Sequence, residues 1–303
     1  MPPEEGGVGF SSARGVRSRI SWALRSHWGM VRSDNQDFVG VYAPAAHSGH
    51  SPLFVIADGM GGHAAGGVAS RLAVETMIEA WLTNPTEPVS QALKNAVRSA
   101  NADVFGESFE PDQHGMGTTL TALTISLTTG LAYIAHIGDS RAYLVRDRYC
   151  SQLTSDHSRV AEMVRAKLLS PAEAAEHPGR SMLTRNLGAT PGVNVDVTQT
   201  ELRVGDVIIL CSDGLWDTVT AEELAETAGA PGPDVSAGML LDTALARGAT
   251  DNVSVIVVRI TSSLNLPPAE LTKSSRSRRA RFGKAVKKLL YTGVRISRRT
   301  RKE

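Results

Sequence analysis

Four short apolar runs in this chain are each tied to an aspartate at one end. Leu53–Ala57 leads into Asp58, and the run closing at Ile137 reaches Asp139 after one glycine. Val207–Cys211 reaches Asp213 after one serine, and Asp251 stands just ahead of the run that starts at Val253. Runs this short, rich in Val, Ile and Leu, read as buried strands. The aspartates therefore fall at strand ends, where side chains from different strands can converge at one edge of a sheet. Asp37, just ahead of Phe38–Ala43, occupies the same kind of place.

The text between these runs sets the fold class. Ile20, Trp22 and Leu24 alternate and predict a half-buried strand. Val68, Ala69, Leu72, Ala73, Met77 and Trp81 share one helical face, as do Val89, Leu93, Ala96, Val97, Ala100 and Val104. Strands return in "TTLTALTISL", "GLAYIAHIG" and "RAYLVRD", with turn chemistry at Gly130 and at Gly138-Asp139, and read as an antiparallel meander. Residues 156–188 are polar and helical, broken at His177-Pro178. Helical text around "AEELAETA" and "SAGMLLDTALARG" separates the last two strands. Strands, then paired helices, then strands again predict α+β with mostly antiparallel sheets, without a βαβα alternation or an internal repeat. At 42% hydrophobic residues the chain can fill a large core. We expect a loose segment over 1–18, one domain over 19–262 and, beyond it, linker composition and a tail over 263–303.

The stretch "ADGMGGHAAGG" admits three readings. Asp58-Gly59 is a hairpin signal, and Gly59 to Ala64 fits the loose dinucleotide fingerprint. The third reading is a metal carboxylate. The hairpin weakens because Asp58 and Asp213 both lead towards helices. The fingerprint weakens because no acidic residue follows about 20 positions on at a second strand end; Glu75 and Glu79 lie in the first helix instead. Bare carboxylates about 4 Å apart repel by roughly 4 kcal/mol per pair at an effective dielectric near 20. A cluster of them needs cations, and oxygen ligands without a His or Cys set favour Mg²⁺ or Mn²⁺ over Zn²⁺.

Charge divides the chain. Residues 273–303 hold 13 of the 32 Lys and Arg and one of the 31 acids, so the rest carries 19 basic and 30 acidic side chains. A net charge of +1 hides a body near −11 and a tail near +12. The balanced total gives no reason to expect a nucleic-acid partner. Two cysteines, Cys150 and Cys211, suggest no disulfide framework and a reducing, cytoplasmic setting. No stretch approaches the roughly 20 apolar residues of a membrane span.

The segments "GMVRSDNQD", "ADGMGGHAAGGVAS", "GMGTTLTAL", "HIGDSRAYLV", "LTSDHSRVAEMV", "HPGRSMLTRNLGA", "CSDGLWDTV" and "ATDNVSVIVV" occur in the order of the metal-dependent type 2C protein phosphatases. From about residue 19 to 260 the chain resembles the bacterial branch of that family. The resemblance implies a β-sandwich flanked by helix pairs in four layers, α-β-β-α. It implies a metal-dependent enzyme that hydrolyses phosphoserine and phosphothreonine in proteins, opposing Ser/Thr kinases and acting as a monomer. It implies two Mn²⁺ or Mg²⁺ ions bridged by Asp58, one helped by the carbonyl of Gly59, the other held by Asp213 and Asp251. Asp37 would act through metal-bound water, and Asp139, with Asp213, would support a third, weaker ion. Arg32 would grip the substrate phosphate, a task suited to a planar guanidinium fork. Water activated by the two ions would attack phosphorus in line. Neither cysteine has the arginine six positions on that a cysteine-based phosphatase requires. The alternative is a pseudophosphatase that binds phosphoproteins without hydrolysis, disfavoured by the presence of Asp58, Asp213, Asp251 and Arg32.

One departure concerns the general acid. Animal members carry a histidine directly after the Asp-Gly, where this chain has Met60; His63 or a metal-bound water could serve, and the sequence leaves this open. His157 and His177 match positions around a flap over 156–188 and read as packing or capping residues. Trp216 reads as an anchor under the metal loop, and "GMGTT" as a close-packed strand start. In the tail, Phe282, Ala285, Val286, Leu289, Leu290 and Gly293 share one face beside Arg281, Lys284, Lys287 and Lys288, the pattern of a basic amphipathic helix. Such a tail could contact an anionic membrane peripherally, fold back on the acidic body, or stay solvated.

Overall fold

The computed structural model describes residues 10–17, 19–43, 51–61, 65–83 and 86–264. In chain order the elements are β1 (Phe10–Arg17), β2 (Ile20–His27), β3 (Asp37–Tyr42), β4 (Leu53–Met60), α1 (Ala65–Thr83) and α2 (Val89–Glu107). Then come β5 (Gly117–Thr118), β6 (Leu120–Ile125), β7 (Leu131–Ile137), β8 (Arg141–Arg146) and β9 (Tyr149–Gln152). Two short helices, α3 (Arg159–Arg165) and α4 (Pro171–Glu176), lead to β10 (Asp196–Glu201) and β11 (Val207–Cys211). The chain continues through α5 (Asp213–Trp216), α6 (Ala221–Thr227), α7 (Pro233–Ala246) and β12 (Val253–Ile260).

The strands form two antiparallel sheets, ordered β1-β2-β12-β11-β8-β9 and β10-β7-β6-β4-β3, with β5 paired to β4. Alternation decides which core each residue enters. Phe54 and Ile56 of β4 point between the sheets, where they meet Trp22, Leu123, Ile208 and Ile256. Leu53, Val55 and Ala57 face α1 and α2. On the other side Ile209, Cys211, Val255 and Val257 face α6 and α7. The runs are unbroken because both faces of each central strand are covered, each fully buried Leu, Ile or Phe contributing roughly 1.5–3 kcal/mol. The layers are α-β-β-α, as the family resemblance implied.

Several local expectations need correction. Residues 10–17, expected to be loose, form β1, an edge strand paired along β2. β2 is buried on both faces over Ile20–Leu24 instead of half-buried, because β1 and β12 flank it and α7 covers it. The buried face of α1 runs through Ala69, Ser70, Ala73, Val74, Met77, Ile78 and Trp81, leaving Val68 and Leu72 at its margin. The predicted meander stops at β7: the chain crosses at Gly138–Ser140 to the opposite sheet, where β8 pairs β11. β4 runs through Asp58 and Gly59 to Met60, so this Asp-Gly lies within a strand. Of the expected linker and tail over 263–303, residues 265–303, with the basic amphipathic segment, lie outside the described residues. Leu264 still packs in the inter-sheet core.

Candidate active site

The topology gathers the aspartates at one end of the sandwich. Asp37 and Asp58 are directly paired where β3 meets β4. Asp139 sits on the β7–β8 crossing, Asp213 is the first residue of α5 just past β11, and Asp251 immediately precedes β12. Asp58, Asp139, Asp213 and Asp251 line one cleft of about 250 Å³, together with Arg32, Asp34 and Gly59. Asp37 does not line it. Asp37 lies buried behind the wall, its Oδ2 accepting from Ser212 Oγ at 2.7 Å.

Backbone packing holds Asp58 in place. Its N–H donates to Thr119 Oγ1 (2.9 Å), and its carbonyl accepts from Thr119 N (2.9 Å) and Thr118 Oγ1 (2.9 Å). This is the work of the "GMGTT" stretch. The glycines after Asp58 permit close approach: a Cβ on Gly59 would stand 2.0 Å from the Gly66 carbonyl oxygen at the start of α1. Asn252, buried, ties down the loop that carries Arg32. Its Nδ2 donates to the carbonyls of Trp28 (3.0 Å) and Asp34 (2.8 Å), and its Oδ1 accepts from Gln36 N (2.7 Å). Trp216 Nε1 donates to the Asp139 carbonyl at 3.0 Å, with the Arg141 guanidinium stacked 3.7 Å from its ring centre.

Electrostatics mark the cluster as unfinished without cations. Burial first, and then repulsion from neighbouring carboxylates, raises Asp37 and Asp139 to about 7 and Asp213 to about 6, and moves Asp58 well up. Asp37 Oδ1 and Asp213 Oδ1 are buried with no hydrogen-bond partner among the described residues. No group of three or more His, Cys, Asp or Glu among those residues is gathered closely enough to read as a finished ion cage. Nevertheless the donor set, oxygen-only and anionic, fits hard divalent cations, which would relieve both the repulsion and the orphaned oxygens.

Arg32 is paired with one of the carboxylates. Its Nη2 donates to Asp251 Oδ2 at 2.7 Å, and this raises the Arg32 pKa. Met60 lines the cleft, and His63 lies outside the described residues. His177 follows α4, its Nδ1 accepting from Gly179 N (3.0 Å), while His157 is buried away from the cleft. The sequence reading missed Asp34, Thr119, Ser181, Leu183 and Asn252, all lining the cleft. Asp34 and Asn252 sit beside the aspartates already singled out, so adjacency was the available signal.

The family model for protein phosphatase 2C matches residues 31–236. The chain is 40% identical over 242 residues to the serine/threonine protein phosphatase PstP of Mycobacterium tuberculosis, covering 80% of this chain and 45% of that protein. It is 34% identical to the serine/threonine phosphatase stp of Listeria monocytogenes, covering 78% of this chain and 94% of that one. The crystal structure of the M. tuberculosis phosphatase PstP superposes with a TM-score of 0.72 at 39% identity, over 80% of this chain and all of that one. The PstP catalytic domain in complex with two manganese ions superposes with a TM-score of 0.70 at 38% identity, over 80% of this chain and 99% of that one.

Proposed function

This chain belongs to the protein phosphatase 2C family, and from that membership we propose that it hydrolyses phosphoserine and phosphothreonine in proteins. The observation that carries the reading is the single cleft in which four strand-end aspartates face Arg32. A phosphoprotein binder without hydrolysis would have no use for four carboxylates that repel one another at the mouth of an anion site.

Bound there, Mn²⁺ or Mg²⁺ supplies Lewis acidity that lowers the pKa of a water and neutralises phosphoryl oxygens. Asp58, which lines the cleft among the other carboxylates, and the carbonyl of Gly59 would help hold the ions. Asp213 and Asp251 would hold a second ion, and Asp139 with Asp213 would support a third, weaker one. Asp37, behind the wall, acts at one remove, and Ser212 fixes its orientation. Arg32 orients the phosphate and offsets charge on its equatorial oxygens. No imidazole is among the described residues that line the cleft.

The substrates are phosphoproteins made by Ser/Thr kinases, and the chain works as a monomer in the cytoplasm. No helix among the described residues is long and apolar enough to cross a membrane. β12 runs from Val253, beside the cleft, to Ile260, roughly 24 Å away by strand rise. β12 therefore ends at the end of the sandwich opposite the cleft. Hydrolysis of a phosphothreonine peptide by the full chain, abolished by EDTA and restored by Mn²⁺ or Mg²⁺, is the expected result. Full activity in excess EDTA, on protein shown to be metal-free, would contradict the mechanism.

A further inference from the structure

The crossing Gly138-Asp139-Ser140 is held from several sides. Trp216 bonds the Asp139 carbonyl, Thr121 Oγ1 donates to the Ser140 carbonyl (2.9 Å), and Ser140 Oγ bonds Thr119 Oγ1 (2.7 Å). The remaining residue, Gly138, is held by His157. Gly138 N–H donates to His157 Nδ1 (3.2 Å), and His157 N–H donates to the Gly138 carbonyl (2.7 Å). Gly138 has φ +101°, and a Cβ there would stand 2.6 Å from Thr119, so this turn has little room to move.

The network assigns the His157 tautomer. Nδ1 accepts from Gly138, so Nε2 carries the proton and donates to Asp196 Oδ2 at 3.0 Å. Arg185 Nη1, 3.2 Å from Nε2, is held by Asp196 Oδ1 at 2.9 Å. The imidazole is 2% exposed and packs against His136, ring centres 4.8 Å apart. Every polar atom of His157 is therefore committed, and none reaches the cleft.

His157 is also the point where the flap is stitched to the sandwich. Its carbonyl accepts from Thr184 N (2.8 Å), Ser158 bridges Leu183, and Arg159 N donates to the Met182 carbonyl (2.8 Å). Residues 157–159 and 182–184 thus pair as a short ladder at the flap's base, while Ser181 and Leu183 face the cleft. One side chain joins the ladder to the turn bearing Asp139.

We propose that His157 is a positioning residue for this site, coupling the flap to the Asp139 carboxylate through the backbone of Gly138. The proposal rests on the phosphatase reading for what Asp139 does, but the linkage itself is a matter of geometry. It predicts which half of the imidazole matters. In His157→Asn the carboxamide oxygen can take the place of Nδ1 and accept from Gly138. In His157→Gln the longer side chain can replace the donor to Asp196 but not that acceptor.

The test uses the full chain with His157→Ala, His157→Asn, His157→Gln and Asp139→Ala. Amide hydrogen exchange on metal-free protein should speed up at the Gly138 peptide and at residues 181–184 in the Ala and Gln variants, and stay near wild type in Asn. Mn²⁺ titration, followed by tryptophan emission because Trp216 bonds this turn, should show half-saturation raised about 10-fold in Ala and Gln and within about 3-fold in Asn. The double variant His157→Ala/Asp139→Ala should bind Mn²⁺ no more weakly than Asp139→Ala alone, since the first change acts through the second residue. Unchanged exchange and Mn²⁺ response in His157→Ala, or equal damage in Asn and Gln, would overturn the proposal. If His157→Ala fails to fold, the contrast between Asn and Gln still decides. A wild-type chain that binds Mn²⁺ but hydrolyses no phosphopeptide would overturn the proposed function and leave the exchange and titration results to judge His157.

Discussion

Arg32 and Asp251 compete with the ligands each is expected to serve. The pair is about half exposed, 55% and 38% for the two side chains, so it contributes at most about 1 kcal/mol. A divalent ion drawing on Asp251 frees the guanidinium for a phosphate. We therefore expect Arg32→Ala to raise KM for a phosphothreonine peptide about 10-fold or more, and Arg32→Lys to recover little, because an ammonium cannot form the bidentate fork. Mn²⁺ affinity measured by calorimetry should hold or tighten, since a competitor for Asp251 is removed. A clear loss of Mn²⁺ affinity would mean Arg32 supports the ion site instead. At Asp213, the amide of Asp213→Asn cannot replace an anionic donor, and activity should fall at least about 100-fold. The fold should persist, because burying that charge opposes folding at neutral pH. Activity within a few-fold of wild type would remove Asp213 from the ligand set.

Among the elements, the flap tests how much one surface pair can matter. Arg180 reaches across to Asp217, with Nη1 to Oδ1 at 3.0 Å and Nη2 to Oδ2 at 2.8 Å, joining the flap to the residue that follows α5. Arg180 is 53% exposed, which puts its worth to global stability below about 1 kcal/mol. Arg180→Ala should therefore leave the melting temperature within about 4 °C, while altering KM for a phosphopeptide more than KM for p-nitrophenyl phosphate, which is too small to touch the flap. Equal shifts for both substrates would place Arg180 at the phosphate itself. The flap also shows where sequence reasoning ran out. β4, β11 and β12 were legible because an apolar run with an aspartate at its end has few other meanings. The 157–159 and 182–184 ladder was not, since it joins segments more than 20 residues apart through backbone bonds that leave no periodic trace. β1 was hidden because an edge strand of Ser, Arg and Gly looks like loop text. Asp37 could be assigned to the sheet end, but only the register with Asp58 and the Ser212 bond turn it behind the cleft wall.

For the whole molecule, the carboxylates set an opposition between stability and metal binding that depends on pH. Asp37 and Asp139 at about 7 and Asp213 at about 6 lie above their unfolded values. Their protonated forms favour the folded chain most fully below about pH 4, and that advantage is lost as pH rises through 6 to 7. The groups with depressed carboxyls, Asp196, Glu223 and Asp234, complete their contribution at lower pH and stay silent above it. Histidines held neutral act in the reverse sense: buried His136, lowered to about 4, and buried His157 and half-buried His27, also lowered, add stability as pH climbs through their unfolded pKa near 6.5. These histidines are not ligands in the proposed site, and His157 couples to it only in its neutral form, so from about pH 6.5 upward their contribution is common to the Mn²⁺-loaded and EDTA-treated protein. The difference in melting temperature between the two states isolates the aspartates. Deprotonated carboxylates bind Mn²⁺ and protonated ones do not, so this difference should be small at pH 5.5 and grow to pH 8, with its midpoint between about 6 and 7. Asp139→Asn should lower the pH 8 plateau by removing one anionic donor. A difference that stays flat from pH 5.5 to 8, or that shrinks, would show that these strand-end aspartates do not hold the ion.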